Sequence, residues 1–321
     1  MASLSVALAM FVGGLAVLLW SADVFTDAAQ KIGLALGLSP FVIGMTVVAV
    51  GTSLPELVAA VLAVLRDEPG IVVGNVVGSN VSNVFLVLGI TAVVGRDLRV
   101  ERDLMQVDLP LFAASAAFLV LAVWSSPFSR IEGVLALGAL AVYIHFTIAE
   151  RDVSVPEIVE EVEEVESDIE ESPIGVVTYA AFAGSLVLVV GSASVLVDSV
   201  VALSEALAVE PAVIAVTALS IGTVLPELTV STMAARRGDT AVAVGAILGS
   251  NVVNAFGVTG VASLVGPLTV PSTIRSYGLP AMALATVLYL FVTQDRQVTR
   301  WEGATLVLLY LLFLVNLFAI T

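Results

Sequence analysis

Apolar residues run in stretches near the length needed to cross a bilayer, roughly 17 to 25 residues. They fall at about 4–22, 41–65, 70–94, 108–125, 131–149, 174–204, 211–235, 240–265, 277–293 and 301–320. This pattern predicts ten transmembrane helices. The first and sixth runs continue as polar but helix-compatible sequence to Leu38 and Leu207, implying tilted helices or helices that extend along the interface. Trp20, Trp124 and Trp301 sit near span ends, where the amphipathic indole prefers the membrane–water boundary. The first 22 residues hold no Lys or Arg, so they lack the basic start of a cleaved signal and read as a retained helix.

Self-similarity changes the picture from ten helices to two sets of five. Phe41 to Gly95 aligns without a gap on Ala212 to Gly266 at a constant offset of 171, with 23 identities in 55 positions. Five spans per unit is odd, so the second copy enters the membrane from the opposite side. The expected fold is an all-α polytopic membrane protein of two inverted five-helix repeats, residues 1–149 and 174–321, joined by an acidic loop at 150–173. Such architectures favour alternating access, with a site near the midplane where the copies meet.

Charge sets the orientation and narrows the partners. The chain is 59% hydrophobic and 12% charged, against roughly 25% charged in soluble domains. Its net charge of −16 argues against nucleic acid. Eleven carboxylates lie between Glu150 and Glu171, opposed only by Arg151, which leaves the rest at −6. With an outside N-terminus, Lys31, Arg96, Arg99, Arg102, Arg151, Arg236, Arg237, Arg296 and Arg300 face the cytoplasm, and Arg66, Arg130 and Arg275 face out. That bias puts both termini outside and the acidic loop in the cytoplasm. The loop lacks the glycine-turned spacing of a dedicated Ca2+ loop and reads as a solvated linker or short surface helix. There is no Cys, which excludes thiolate chemistry, and no sequence feature implies a cofactor or an obligate protein partner.

The repeat identities concentrate in two mid-span motifs. Gly51-Thr52-Ser53-Leu54-Pro55-Glu56 matches Gly222-Thr223-Val224-Leu225-Pro226-Glu227, and Gly78-Ser79-Asn80-Val81-Ser82-Asn83 matches Gly249-Ser250-Asn251-Val252-Val253-Asn254. A mid-helix proline lacks the N–H and crowds the carbonyl four residues back, so Pro55 and Pro226 loosen the backbone around Gly51 and Gly222. Broken backbone at membrane depth is tolerated only where protein or a wet cavity satisfies it. Helical spacing stacks Ala49, Thr52 and Ser53 with Glu56, and Ser220 and Thr223 with Glu227. Ser79 shares a face with Asn83, as Ser250 does with Asn254. Carboxylate, hydroxyl, amide oxygen and loose carbonyl form an oxygen-only set, suited to Ca2+, Mg2+ or Na+ rather than to zinc or copper. A carboxylate at the bilayer centre costs at least about 2.5 kcal/mol, so mid-span acids are functional candidates. Asn80 and Asn251 fall off that face and read as packing or cap residues, and Ser82 as inert.

This doubled motif resembles the sodium/calcium exchanger family of the cation/calcium antiporters, particularly its compact prokaryotic members. The resemblance covers the whole chain in architecture and about 110 residues in motif. It implies exchange of Ca2+ against Na+ across a prokaryotic cell membrane, with helices two, three, seven and eight forming the site and helices one and six sliding across it. It assigns Glu56 and Glu227 as central ligands, supported by side-chain oxygens of Thr52, Ser53, Ser79, Asn83, Thr223, Ser250 and Asn254 and by the carbonyls of Ala49 and Ser220. Val224 stands where the motif usually has Ser, removing one hydroxyl, and Asn254 supplies no third acid.

Other readings are weaker. A Ca2+/H+ or other divalent exchanger is the nearest alternative, and a cation channel a further one. An intramembrane hydrolase needs an activated nucleophile, and the single His, His145, lies at the end of the fifth run. Asp23, Asp27 and Asp198 read as interfacially solvated acids or as residues of an access pathway.

Overall fold

The computed structural model describes residues 3–36, 51, 53–95, 98–99, 108–124, 127–149, 175–238, 240–294 and 296–320. Residues 41–50, Thr52 and the acidic segment, all singled out above, lie outside them, as do most of the residues expected around Ala49. The helices are α1 Leu4–Ala35, α2 Leu54–Leu65, α3 Pro69–Gly95, α4 Asp108–Trp124, α5 Arg130–Ala149, α6 Val176–Leu207, α7 Pro211–Arg237, α8 Thr240–Val252 continuing to Val265, α9 Ile274–Gln294 and α10 Arg300–Ile320. Among the described residues seven helices are long and apolar enough to cross a membrane: α1, α3, α6, α7, α8, α9 and α10. The two long helices expected at the first and sixth runs are present, each 32 residues.

Local chemistry explains the helix ends. Ser129 and Glu132 form a reciprocal capping box at α5, where the Ser129 N–H donates to Glu132 Oε2 at 2.5 Å. Thr299 and Glu302 repeat it at α10 at 2.8 Å. In each, the acid satisfies an orphan N–H of the first turn. Pro69 and Pro211 open α3 and α7 at positions where a missing N–H costs nothing. α7 stops at Gly238, whose φ of 96° suits glycine alone without strain.

α2, α3, α7 and α8 pack together as the centre of the molecule. α5 lies against α8, α10 against α3, and α4 and α9 close the flanks. α1 and α6 run beside one another across this centre. Many outward residues of α1, α6 and α10, such as Leu8, Val187 and Leu308, are exposed and apolar, as lipid-facing positions require. A two-residue antiparallel ribbon, β1 Leu98–Arg99 with β2 Gln297–Val298, ties the end of α3 to the start of α10. An antiparallel bridge between Phe128 and Leu268 does the same for α5 and α8.

The proline breaks are visible and alike. Ser53 adopts φ −93°, ψ 2°, and Val224, its counterpart at the offset of 171, adopts φ −87°, ψ 3°. Widened π turns replace α geometry at Asn83–Leu88 in α3 and Val253–Val258 in α8. Such turns interrupt the regular ladder and recur at functional sites. The second motif of each copy therefore ends in a distorted helix, a feature that sequence periodicity alone did not reveal.

Candidate cation site

Each proline restarts its helix immediately before an acid. Glu56 is in the first turn of α2, and Glu227 in the first turn of the Leu225–Arg237 part of α7. There each carboxylate faces the positive end of a helix dipole, which offsets part of the cost of burying charge. Both are buried, at 1% and 7% exposure. Glu227 lies close enough for its charge to bear on Glu56. The two acids thus converge at the centre of the packed helices.

α3 and α8 supply the neutral oxygens around them. Ser250 donates to Glu227 Oε1 at 3.0 Å. Asn83 Nδ2 donates to Ser250 Oγ at 3.3 Å and to Asn251 Oδ1 at 3.1 Å. Ser79 and Thr223 share a hydroxyl contact at 3.4 Å. These bonds turn the amide nitrogen of Asn83 outward to its partners and leave its Oδ1 unbonded. Among the buried oxygens without a partner are both of Glu56, Oε2 of Glu227, and Oδ1 of Asn83 and Asn254. An unpaired buried acceptor costs about 1–3 kcal/mol and a charged one more, so this cluster of unsatisfied oxygens calls for a cation. Among the described residues no group of three or more His, Cys, Asp and Glu occurs, so the two glutamates set the charge of the site.

Several expectations need correction. Thr223, expected to stack with Glu227 on its own helix, also reaches across to Ser79, its hydroxyl 3.4 Å from that of Ser79. Ser82, read as inert, bonds the Tyr310 hydroxyl of α10 at 3.0 Å and lies 3.5 Å from Ser220 Oγ. Asn251, read as a packing or cap residue, accepts from Asn83 through its side chain and, at 3.5 Å, from Asn80 through its carbonyl. The Ser220 carbonyl already accepts the Val224 N–H at 3.1 Å and the Thr223 hydroxyl at 3.4 Å, so the proline break does not leave it idle. Ser53 is buried at the break and makes no capping bond through its side chain. Ala49 and Thr52 fall outside the described residues. Tyr310 was missed, and its only sequence signal is a tyrosine in the middle of an otherwise apolar run.

A family model described as "Sodium/calcium exchanger protein" matches residues 6–149 and 177–319. The chain belongs to the sodium/calcium exchanger family. Across this family the chain resembles the sodium/calcium exchanger MaX1 of Methanosarcina acetivorans at 30% identity, covering 96% of this chain and 97% of that one. An uncharacterized membrane protein of Methanocaldococcus jannaschii is 31% identical over 96% of both chains. The inner membrane protein YrbG of Escherichia coli is 29% identical over 94% of this chain and 93% of its own length. Among solved structures, the sodium-calcium exchanger NCX_Mj superposes with a TM-score of 0.62 at 27% identity, over 98% of this chain and 99% of that one. Membership in a family of exchangers, together with the apolar helices, makes this an integral membrane protein of a transporter rather than an enzyme family.

Proposed function

We propose that the protein is a secondary active antiporter exchanging Ca2+ for Na+ by alternating access, built from two inverted five-helix repeats at 1–149 and 174–321 with an acidic loop at 150–173 between them. It lies in a prokaryotic cell membrane with both termini outside and the loop cytoplasmic. The observation that carries the reading is the convergence of two buried glutamates, one from α2 and one from α7, with a shell of unsatisfied oxygens, in a chain of this family. Glu56 and Glu227 are the central ligands of the transported ion. Thr52, Ser53, Ser79, Asn83, Thr223, Ser250 and Asn254, with the carbonyls of Ala49 and Ser220, complete the shell. Hard cations take such oxygen ligands, and Ca2+ accepts six to eight of them.

Counter-ion dependence tests the exchange. In proteoliposomes, a Na+ gradient directed outward is expected to drive 45Ca2+ uptake, whereas K+ or H+ gradients alone are not. Uptake that follows the pH gradient and ignores Na+ would replace this reading with Ca2+/H+ exchange. Uptake that needs no counter-ion on the opposite side would indicate a channel.

Charge balance gives a second prediction. Two carboxylates are neutralised by one Ca2+, whereas a load of more than two Na+ leaves the site positive, so each cycle moves net charge. A membrane potential then biases exchange by roughly 2.3 kcal/mol per charge per 100 mV. Na+-driven Ca2+ uptake is expected to change with a potential imposed through valinomycin and K+. A rate indifferent to that potential means electroneutral exchange.

A further inference from the structure

The two segments related by the offset of 171 are not packed alike. α6 lies along α2, and Arg66 at the end of α2 reaches across to it. Arg66 Nη1 donates to the Ser194 carbonyl at 2.6 Å and to the Asp198 carboxylate, and Nη2 donates to the Ser194 hydroxyl. The same offset carries Arg66 to Arg237, Asp198 to Asp27 and Ser194 to Asp23. The contact related by the repeat therefore has the same parts available: an arginine at the end of α7 and an acid at the matching point of α1. It has a second acid, Asp23, where the Arg66 contact has Ser194.

There the contact is not made. α1 scarcely touches the Leu225–Arg237 part of α7. Arg236 and Arg237 are exposed and form no ion pair among the described residues. Asp27 is paired instead with Lys31, one turn along its own helix, at 3.0 Å. Since α1 and α6 pack against one another along their length, a shift of the pair that brings α1 onto α7 draws α6 away from α2.

We infer that Arg66 with Asp198 and Arg237 with Asp27 are alternative latches, one made in each of the two facing states, so that an arginine clasp changes ends of the molecule in every transport cycle. Asp23 adds a second acceptor to the Arg237 latch in the place that Ser194 fills for Arg66. This rests on the proposed antiport by inverted repeats and names the groups that bias its two states. The side chains of Arg66 and Asp198 are 30% and 55% exposed, and pairs so open to water are weak enough to break on each turnover.

The chain has no Cys, so introduced pairs read without background. Two double variants of the full chain, Arg66→Cys with Asp198→Cys and Asp27→Cys with Arg237→Cys, are treated in membranes with a short reducible bis-methanethiosulfonate. Each pair is expected to bridge, and each bridge to stop Na+-driven 45Ca2+ uptake until it is reduced. In a chain carrying all four cysteines, any one molecule is expected to form one bridge or the other. Failure of the 27/237 pair to bridge in Na+ and in Ca2+, or formation of both bridges in one molecule, overturns the inference. A charge swap gives an independent reading: Arg237→Asp is expected to slow uptake severalfold, and Asp27→Arg added to it to restore the rate. No restoration counts against the latch. Bridging needs no transport, so cysteine pairs that bridge as expected, alongside wild-type protein that shows no counter-ion-dependent flux, sink the antiport reading and not the two-state latch.

Discussion

Glu56→Gln and Glu227→Gln are each expected to reduce Ca2+ uptake to the level of empty liposomes. Glutamine keeps the volume and one carbonyl oxygen of glutamate, so the substitution changes little but charge. With one carboxylate left, a bound Ca2+ keeps an uncompensated positive charge in a site removed from water, at a cost on the order of several kcal/mol. The two variants are not equivalent in their surroundings. Glu227 is held by Ser250 at 3.0 Å, whereas neither oxygen of Glu56 has a hydrogen-bond partner. Removing charge from a carboxylate so poorly satisfied relieves an unfavourable burial, so Glu56→Gln is expected to be at least as heat-stable as the wild type in Ca2+-free buffer. What it loses is the rise in melting temperature on adding Ca2+, because a ligand stabilises only the protein that binds it. Uptake near the wild-type rate in either variant removes that residue from the site, and a retained Ca2+-dependent rise in melting temperature removes it from Ca2+ binding.

The course of the helices was largely legible because a bilayer allows few solutions: each crossing needs about 20 apolar residues with every backbone group satisfied internally. Pro55 and Pro226 marked breaks. The candidate site was legible as a list of residues and not as a set of contacts. Spacing along one helix shows which side chains share a face, so it joined Thr223 to Glu227. The contacts of Thr223 with Ser79 and of Asn83 with Asn251 run between helices, and no single-helix arithmetic contains them. The π turns at Asn83–Leu88 and Val253–Val258 add a further rotation that a period of 3.6 does not anticipate. Asp198 read only as a solvated acid or an access-pathway residue because a span end gives no view of its neighbour. The available signal was the identity of Arg66 and Arg237 at the repeat offset, read together with Asp27 and Asp198.

Gly78→Ala is expected to impair both stability and transport, although alanine ordinarily favours a helix over glycine by about 1 kcal/mol. α3 crosses α7 at this residue. A Cβ at Gly78 would lie 2.7 Å from Val216 Cα and 2.8 Å from Ser220 Cβ, and carbon atoms pack no closer than about 3.5 Å. One turn earlier, a Cβ at Gly74 would lie 2.6 Å from the Ala212 carbonyl oxygen and 3.2 Å from Ala215 Cβ. Glycines four apart let helix backbones approach closely in a membrane, where packing rather than water drives association. The neighbours here are backbone and Cβ atoms, which have no rotamer to yield, so the helices themselves must separate. That separation falls on the crossing that brings Ser79 to Thr223 and Ser82 to Ser220. Overpacking of this kind costs roughly 1–3 kcal/mol, enough to outweigh the gain in helix propensity. Gly138→Ala is the control, since Gly138 on α5 is exposed and has no atom within 4 Å of a Cβ placed there. It is expected to keep wild-type uptake and an equal or higher melting temperature in detergent. Gly78→Ala is expected to lose most of its uptake and to melt lower, and Gly78→Val to be inactive. If Gly78→Ala instead matches Gly138→Ala in both measurements, the close crossing of α3 and α7 does not hold the site together.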